Sequence, residues 1–325
     1  MNLSRRKFVH FSAGAAALAA GPRAGWAQDA YPSRPIHVIV GFTPGAAADV
    51  AGRVLAQGAG PILGQQIVVE NRPGAGSSIA AQYVAHAGND GYTLFLATLS
   101  IITNQIINPN AAVDLEKDFA PVALLESGAI VVVVNPASGI HSIAELIALA
   151  KAKPGQVLHA TVKGSLPHFA SELFAQRAGI ELTQVPYQGS PQSVTDVIAG
   201  RATMTFSPAS SVVGQIAAGK LRALATAAKK RPSALPDVPT MAEAGMPDFD
   251  TSLWFGLLAP AGTPRPVVDK VAAAAHQAMH APDALETLRK QGYEPLDAGP
   301  DDFTAFIHSE IARWSDVARA AGLKS

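Results

Sequence analysis

Gly41-Phe42-Thr43-Pro44-Gly45-Ala46-Ala47-Ala48-Asp49 places a Pro-Gly turn between a strand-like run and a helical one. Backbone N–H groups at a helix N-terminus, reinforced by the macrodipole, can hold a carboxylate without a buried cation. A plain strand-to-helix turn, with Asp49 steadying the first helical turn, accounts for the same residues. Gly164-Ser165-Leu166-Pro167-His168 opens a second helix after another strand, and Ser165 stands where an N-cap hydroxyl could instead face a ligand. Lys163 beside it is either a solvated charge or a charge-assisted partner for a carboxylate. Thr98, Ser100 and Asn104 form a polar cluster after a third strand, where loop capping explains them as well as a pocket does. Tyr187-Gln188-Gly189 and Ser207 are polar or aromatic strand ends farther along.

Other chemistries fall away on spacing. A serine and a histidine share the Gly164–His168 loop, but the chain has no Gly-x-Ser-x-Gly elbow for a hydrolase nucleophile. Gly74-Ala75-Gly76 has two glycines of a dinucleotide fingerprint, yet Ile79 stands where the third should allow close helix packing, so no cofactor is expected. His276 and His280 are four apart on a helical run, a metal-binding spacing. No glutamate follows the first histidine, so the metalloprotease pattern fails; a solvated helix face accounts for the pair, and no metal is expected.

The elements that must position these loops follow one rhythm: a β-branched run, a Gly or Pro turn, then an Ala-rich helical stretch. Ile36–Val40, 66–70 and 92–97 are strand-like, with helical patterns at 47–58 and 78–87. A second series runs through 130–134, 157–162, 182–187, 202–206 and 221–226, and the passage 231–247 is proline-rich and irregular. Helical patterns at 266–280, 284–291 and 301–321 close the chain. Alternation of this kind predicts βαβ units and parallel-type sheets. Strands near 122–125 and 253–258 are the natural crossings between the two units, which makes a two-strand hinge. The expected fold is therefore α/β, a two-lobed periplasmic binding protein of type II-like organisation with hinge strands and an interlobe cleft. Residues 28–125 and 256–325 form the first lobe and 126–255 the second.

Length and composition agree with two packed units: 325 residues, 48% apolar and only 15% charged. Basic and acidic residues balance at 25 each, which leaves no positive field for nucleic acid. Residues 1–27 read as a signal peptide: Ser4-Arg5-Arg6-Lys7-Phe8, an apolar run from Val9 to Ala20, and small residues around Trp26. Ser-Arg-Arg-x-Phe also fits the twin-arginine export pattern, and an ordinary basic n-region fits as well. Removal of Arg5, Arg6, Lys7 and Arg23 leaves 21 basic against 25 acidic residues, a mature charge of −4. With no cysteine, there is no disulfide, thiol nucleophile or lipidated N-terminal cysteine, and a soluble periplasmic protein is expected after export.

Tyr31-Pro32-Ser33-Arg34-Pro35-Ile36, the 42–49 loop, Val69-Glu70-Asn71-Arg72-Pro73-Gly74-Ala75-Gly76 and Asp90-Gly91-Tyr92-Thr93-Leu94 resemble, in order, the tripartite tricarboxylate transporter receptors, or Bug proteins. Asp118-Phe119-Ala120-Pro121-Val122, Gly164-Ser165 with His168, Val185-Pro186-Tyr187, Leu235-Pro236-Asp237-Val238-Pro239-Thr240 and 256–264 extend the resemblance over essentially the whole mature chain. The resemblance implies an exported, two-lobed, non-enzymatic receptor, and a monomer is expected. It would hold a small carboxylate through backbone amides, hydroxyls and water, then dock on the subunits of a membrane permease. It assigns the ligand loops to Phe42–Asp49 and Thr98–Asn104 from the first lobe, and to Gly164–His168, Tyr187–Gly189 and Ser207 from the second. One departure stands out: the family's first loop reads Pro-Gly-Gly before small or hydroxyl residues, whereas Ala46-Ala47-Ala48 precede Asp49 here. Alanine disfavours positive φ and takes space, so ligand size does not carry over from the family. A sensor that reports to a signalling partner, or an enzyme acting on a small acid, are the alternative readings.

Overall fold

The computed structural model describes residues 31–320 apart from 109, 188 and 248, so residues 1–27, expected to be a signal peptide, and Gln188 lie outside the described residues. The first unit begins with β1 (Ile36–Val40), α1 (Ala47–Leu63), β2 (Ile67–Asn71), α2 (Ser78–Ala85), β3 (Thr93–Ala97), α3 (Leu99–Ile107) and the single turn α4 (Leu115–Asp118). β4 (Phe119–Gly128) then passes through Ala129 directly into β5 (Ile130–Val134). The second unit continues with α5 (Ile143–Ala152), β6 (Leu158–Thr161), α6 (Leu166–Ala178), β7 (Thr183–Pro186), α7 (Ser190–Ile198), β8 (Met204–Pro208), α8 (Ala209–Ala217) and β9 (Arg222–Thr226). The chain returns through β10 (Leu253–Pro260) and ends in α9 (Arg265–Met279), α10 (Pro282–Lys290), β11 (Tyr293–Ala298) and α11 (Pro300–Ala320).

Two sheets result, ordered β11-β4-β10-β3-β1-β2 and β7-β6-β8-β5-β9. Strands β1 to β3 are mutually parallel, as are β6 to β8, which is the alternation the sequence predicts. Antiparallel pairing enters with the crossing strands. β10 runs against both β3 and β4, and β5 against both β8 and β9, so each sheet is mixed. Strand β11 escaped the sequence reading because Pro295 interrupts a short polar run. It lies at the sheet edge, where a missing N–H is tolerated.

Local composition explains the layers. Ile-Val-Val-Val-Val in β5 is buried throughout: Val132 and Val134 join one apolar cluster while Val131 and Val133 join another, so helices cover both faces. The larger cluster runs on into the first sheet through Phe95, Trp254 and Phe303. α11 ties the two units together, since Trp314 meets Phe169 of α6 edge-on at 5.7 Å. The indoles of Trp254 and Trp314 both donate to Glu310 Oε2, at 3.1 and 3.0 Å.

Close approach sets one strict requirement. A Cβ on Gly256 would lie 2.1 Å from Phe303 Cζ. Gly256→Ala is therefore expected to cost about 1–3 kcal/mol by overpacking. Urea unfolding of the single and double variants checks this. Phe303→Leu in the Gly256→Ala background should cost less than Phe303→Leu alone, and additive losses would show that the ring is not the obstacle.

Candidate functional site

The β1–α1 loop is organised around Asp49. Its carboxylate is buried and accepts from Gly45 N at 2.9 Å, Asn71 Nδ2 at 2.9 Å, and Arg53 Nε and Nη2 at 2.9 and 3.0 Å. Burial alone would raise its pKa, but the hydrogen bonds from Arg53, Gly45 and Asn71 and the Arg53 charge outweigh burial and hold it below the usual carboxylate range. Asp49, expected among the ligand-binding residues, is thus occupied inside the loop. Phe42 contributes its carbonyl to Asn71 Nδ2 at 3.0 Å, and Thr43 closes the turn by accepting from Ala46 N at 3.2 Å. Thr43, Pro44 and Gly45 are exposed.

The alanines fit this turn without backbone strain. Gly45 takes the left-handed position at φ +81°, while Ala46 is extended at φ −70°, ψ 160°. Positive φ is needed only at the glycine, so the expected conformational objection to Ala46-Ala47-Ala48 does not arise. Ala46, as N-cap, supplies no side-chain hydrogen bond. Ala47, Ala48 and Asp49 occupy the first turn, where N–H groups have no intrahelical acceptor. An acid in a first turn would normally compete with an anion; here its charge is matched by Arg53.

The second lobe presents α6 in the same way. Ser165 is its N-cap but makes no capping bond; its Oγ donates to Val162 O at 2.6 Å instead. Pro167 has no N–H, which leaves Leu166 and His168 as donors in the first turn. His168 is buried, and its Nδ1 accepts from Gly164 N at 3.1 Å, which requires an unprotonated nitrogen there. Burial, with a smaller contribution from the Lys163 charge, lowers its pKa and keeps the ring neutral. Lys163 itself is exposed. Gly164 adopts φ +78° with open space where a Cβ would stand.

Hydrogen bonds join several of the expected residues. Thr98 caps α3 by accepting from Ser100 N at 3.2 Å, and Ser100 O accepts from Thr103 Oγ1 at 3.1 Å. Thr103 Oγ1 also reaches Gly164 O at 2.9 Å, a direct link between α3 of the first sheet and the β6–α6 loop of the second. Asn104 accepts from Ser78 Oγ at 2.9 Å and donates to Ala75 O at 3.4 Å. Ser77, in the same loop, is packed so tightly on Gly41 that a Cβ there would lie 2.4 Å from its Oγ. Contacts therefore link Gly41 to Ser77, the adjacent Ser78 to Asn104, and the adjacent Thr103 to Gly164.

Tyr187 and Gly189 are placed differently. The Tyr187 hydroxyl donates to Asp196 of α7, which also receives Arg201, and no bond links Tyr187 to the first lobe among the described residues. Its N–H donates to Thr161 O at 2.8 Å. Gly189 is the N-cap of α7 and offers no side chain. Ser207 is fully buried with an unpartnered Oγ, and Thr161 Oγ1 at the end of β6 is likewise buried and unpaired. A buried hydroxyl without a partner costs about 1–3 kcal/mol, so these are two places where a further donor or acceptor would be favourable. Sequence reasoning left Asn71, Ser77, Ser78 and Thr161 outside the candidate site and reached Thr103 only as part of the Thr98–Asn104 loop. Only Asn71 carried a usable signal, because it ends the strand paired with β1 and so must lie beside the first loop.

Residues 51–323 match the family described as the Tripartite tricarboxylate transporter family receptor. The chain belongs to this family. Among relatives of this receptor, BugT of Bordetella pertussis is 38% identical over 308 residues, covering 94% of each chain. A Rhodopseudomonas palustris protein solved with adipate superposes with a TM-score of 0.83 at 34% identity, covering 90% of this chain and 98% of that one. MatC of the same organism, with bound malate, gives 0.79 at 31% identity, covering 88% and 99%. The two-lobed architecture expected from the sequence is thus the architecture of solved family members. Among the described residues, no helix is long and apolar enough to cross a membrane.

Proposed function

We propose that this receptor is exported and binds a small carboxylate between its lobes. One lobe comprises 28–125 and 256–325 and the other 126–255, and the bound acid is delivered to the membrane subunits of a tripartite tricarboxylate-type permease. No catalytic step is part of this reading. The observation that carries it is the N-terminus of α1: no side chain caps it, and its only first-turn acid is matched by Arg53 and Asn71. The dipole's positive end therefore remains available to an anion. The first turn of α6 supplies the facing donors, and Ser207 Oγ and Thr161 Oγ1 are further groups that a bound acid or its water can satisfy. The hydroxyls and the N–H groups of Ser165 and Tyr187 are engaged within their own lobe, so these two residues shape the site and do not donate to the acid. The adipate and malate of the two relatives support a dicarboxylate as the ligand class. Closure is favoured only to the extent that the acid binds the closed form more tightly.

A thermal-shift screen of the mature chain, unfolded and refolded to strip retained ligand, tests this reading against dicarboxylates and their diamides. Ligand at ~100 times its dissociation constant adds ~2.7 kcal/mol of stability. A shift with an acid and none with its amide supports the reading; no shift with any acid sinks it. Lys163→Ala should weaken binding of the active acid and reduce its salt dependence, and an unchanged affinity and salt slope would make Lys163 a surface charge. Capture of permease subunits by the loaded receptor from membranes tests delivery.

A further inference from the structure

His276, in the last turn of α9, and His280, the C-cap of that helix, lie one turn apart with their rings stacked, centroids 4.4 Å apart. Asp297 of β11 joins them: its Oδ1 is 2.8 Å from His276 Nε2 and 2.9 Å from His280 Nε2. Two nitrogens and one oxygen, from two elements brought together by the fold, thus converge within 4.8 Å of one another. None of these residues belongs to the cleft.

The hydrogen bonding of His280 gives this cluster its meaning. His280 Nδ1 lies 2.9 Å from His276 O, and a carbonyl only accepts, so Nδ1 carries a proton. In the neutral ring Nε2 then presents a lone pair to Asp297 Oδ1, which also has only lone pairs. Two acceptors at that distance repel unless a proton or a metal ion stands between them. An imidazole that donates its other N–H to a backbone carbonyl is also the usual orientation of a metal-bound histidine. We propose that His276, His280 and Asp297 form a binding site for a first-row divalent cation such as Zn²⁺ or Ni²⁺. Two imidazoles and one carboxylate suit this class, whereas Mg²⁺ and Ca²⁺ prefer all-oxygen sets. Metal–ligand bonds of ~2.0–2.1 Å place tetrahedral ligand atoms about 3.3 Å apart, so the side chains must open by about half an ångström. His276 and Asp297 are exposed and His280 is partly so, which leaves room for that adjustment and for water at the remaining positions. The ion would staple α9 to β11, the strand paired with the crossing strand β4.

Isothermal titration of the mature, tag-free, chelator-treated protein with ZnCl₂, NiCl₂ and MgCl₂ tests the proposal, alongside His276→Gln, His280→Gln and Asp297→Asn. One Zn²⁺ or Ni²⁺ should bind per chain and Mg²⁺ should not. Each variant should lose at least about tenfold in affinity, the lower end of what loss of an outer-shell partner costs. The metal should raise the melting temperature of the parent and not of the variants, whose metal-free melting temperatures confirm that they fold. Absence of stoichiometric binding to the parent would overturn the proposal and leave an imidazolium–carboxylate pair. Equal affinity in parent and variants would overturn it by placing the ion on other histidines.

Discussion

Asp49→Ala is expected to destabilise the ligand-free protein by about 1–3 kcal/mol, the range for leaving a buried donor without its acceptor. The carboxylate is 2% exposed and holds four donors from three residues: Gly45 N, Asn71 Nδ2 and two guanidinium nitrogens of Arg53. Arg53 is 57% exposed and can turn to water, so the larger loss falls on the Gly45 N–H and the Asn71 amide. Denaturant unfolding without ligand is the deciding measurement. A residue that served only to touch ligand would leave that stability unchanged while binding fell. Asp49→Asn should fall between the two, because it keeps one acceptor oxygen but loses the charge that balances Arg53.

A second large effect concerns pH. Burial pushes Glu126 up to about 8 and pushes His159 down to about 3. Glu126 is 1% exposed on the crossing strand β4, with Oε2 unpaired. His159 is fully buried beside Phe206, and its Nε2 lies 3.4 Å from the Phe206 N–H, a contact that requires a neutral ring. The signs are opposite. The folded state binds the Glu126 proton more tightly than the unfolded state, so stability falls as pH rises from about 4.5 to about 8. For His159 the unfolded state binds the proton more tightly, so stability falls as pH drops from about 6.5 to about 3. Each slope is about 1.4 kcal/mol per pH unit where it acts alone. Between about pH 4.5 and 6.5 the two slopes oppose each other. Between about 6.5 and 8, Glu126 acts without His159 and should remove about 2 kcal/mol. Glu126→Gln should abolish that alkaline loss relative to the parent in urea titrations at pH 6.5 and 8. A parallel decline in both proteins would show that Glu126 is ionised in the fold.

Much of the fold is legible in the sequence. The runs 36–40 and 130–134 coincide with β1 and β5, and the Pro-Gly turn at 44–45 leads into α1 as expected. Periodicity, turn residues and crossover handedness act over a few residues, so they survive in the one-dimensional chain. The same holds for the loops nominated at the ends of β1, β3, β6 and β8, since βα order alone places them at carboxyl ends of strands. The sequence by itself thus determined two α/β lobes, the family resemblance and the loops that end those strands. Only the tertiary structure decided what their side chains do. Asp49 is claimed by Asn71, 22 residues away, and Thr103 reaches Gly164 across 61 residues. His276 meets Asp297 across 21 residues, on a strand that its own proline concealed. A polar side chain's role depends on which partner desolvates with it. Partners so far apart are chosen when sheets and helices pack, by distances that no local pattern records.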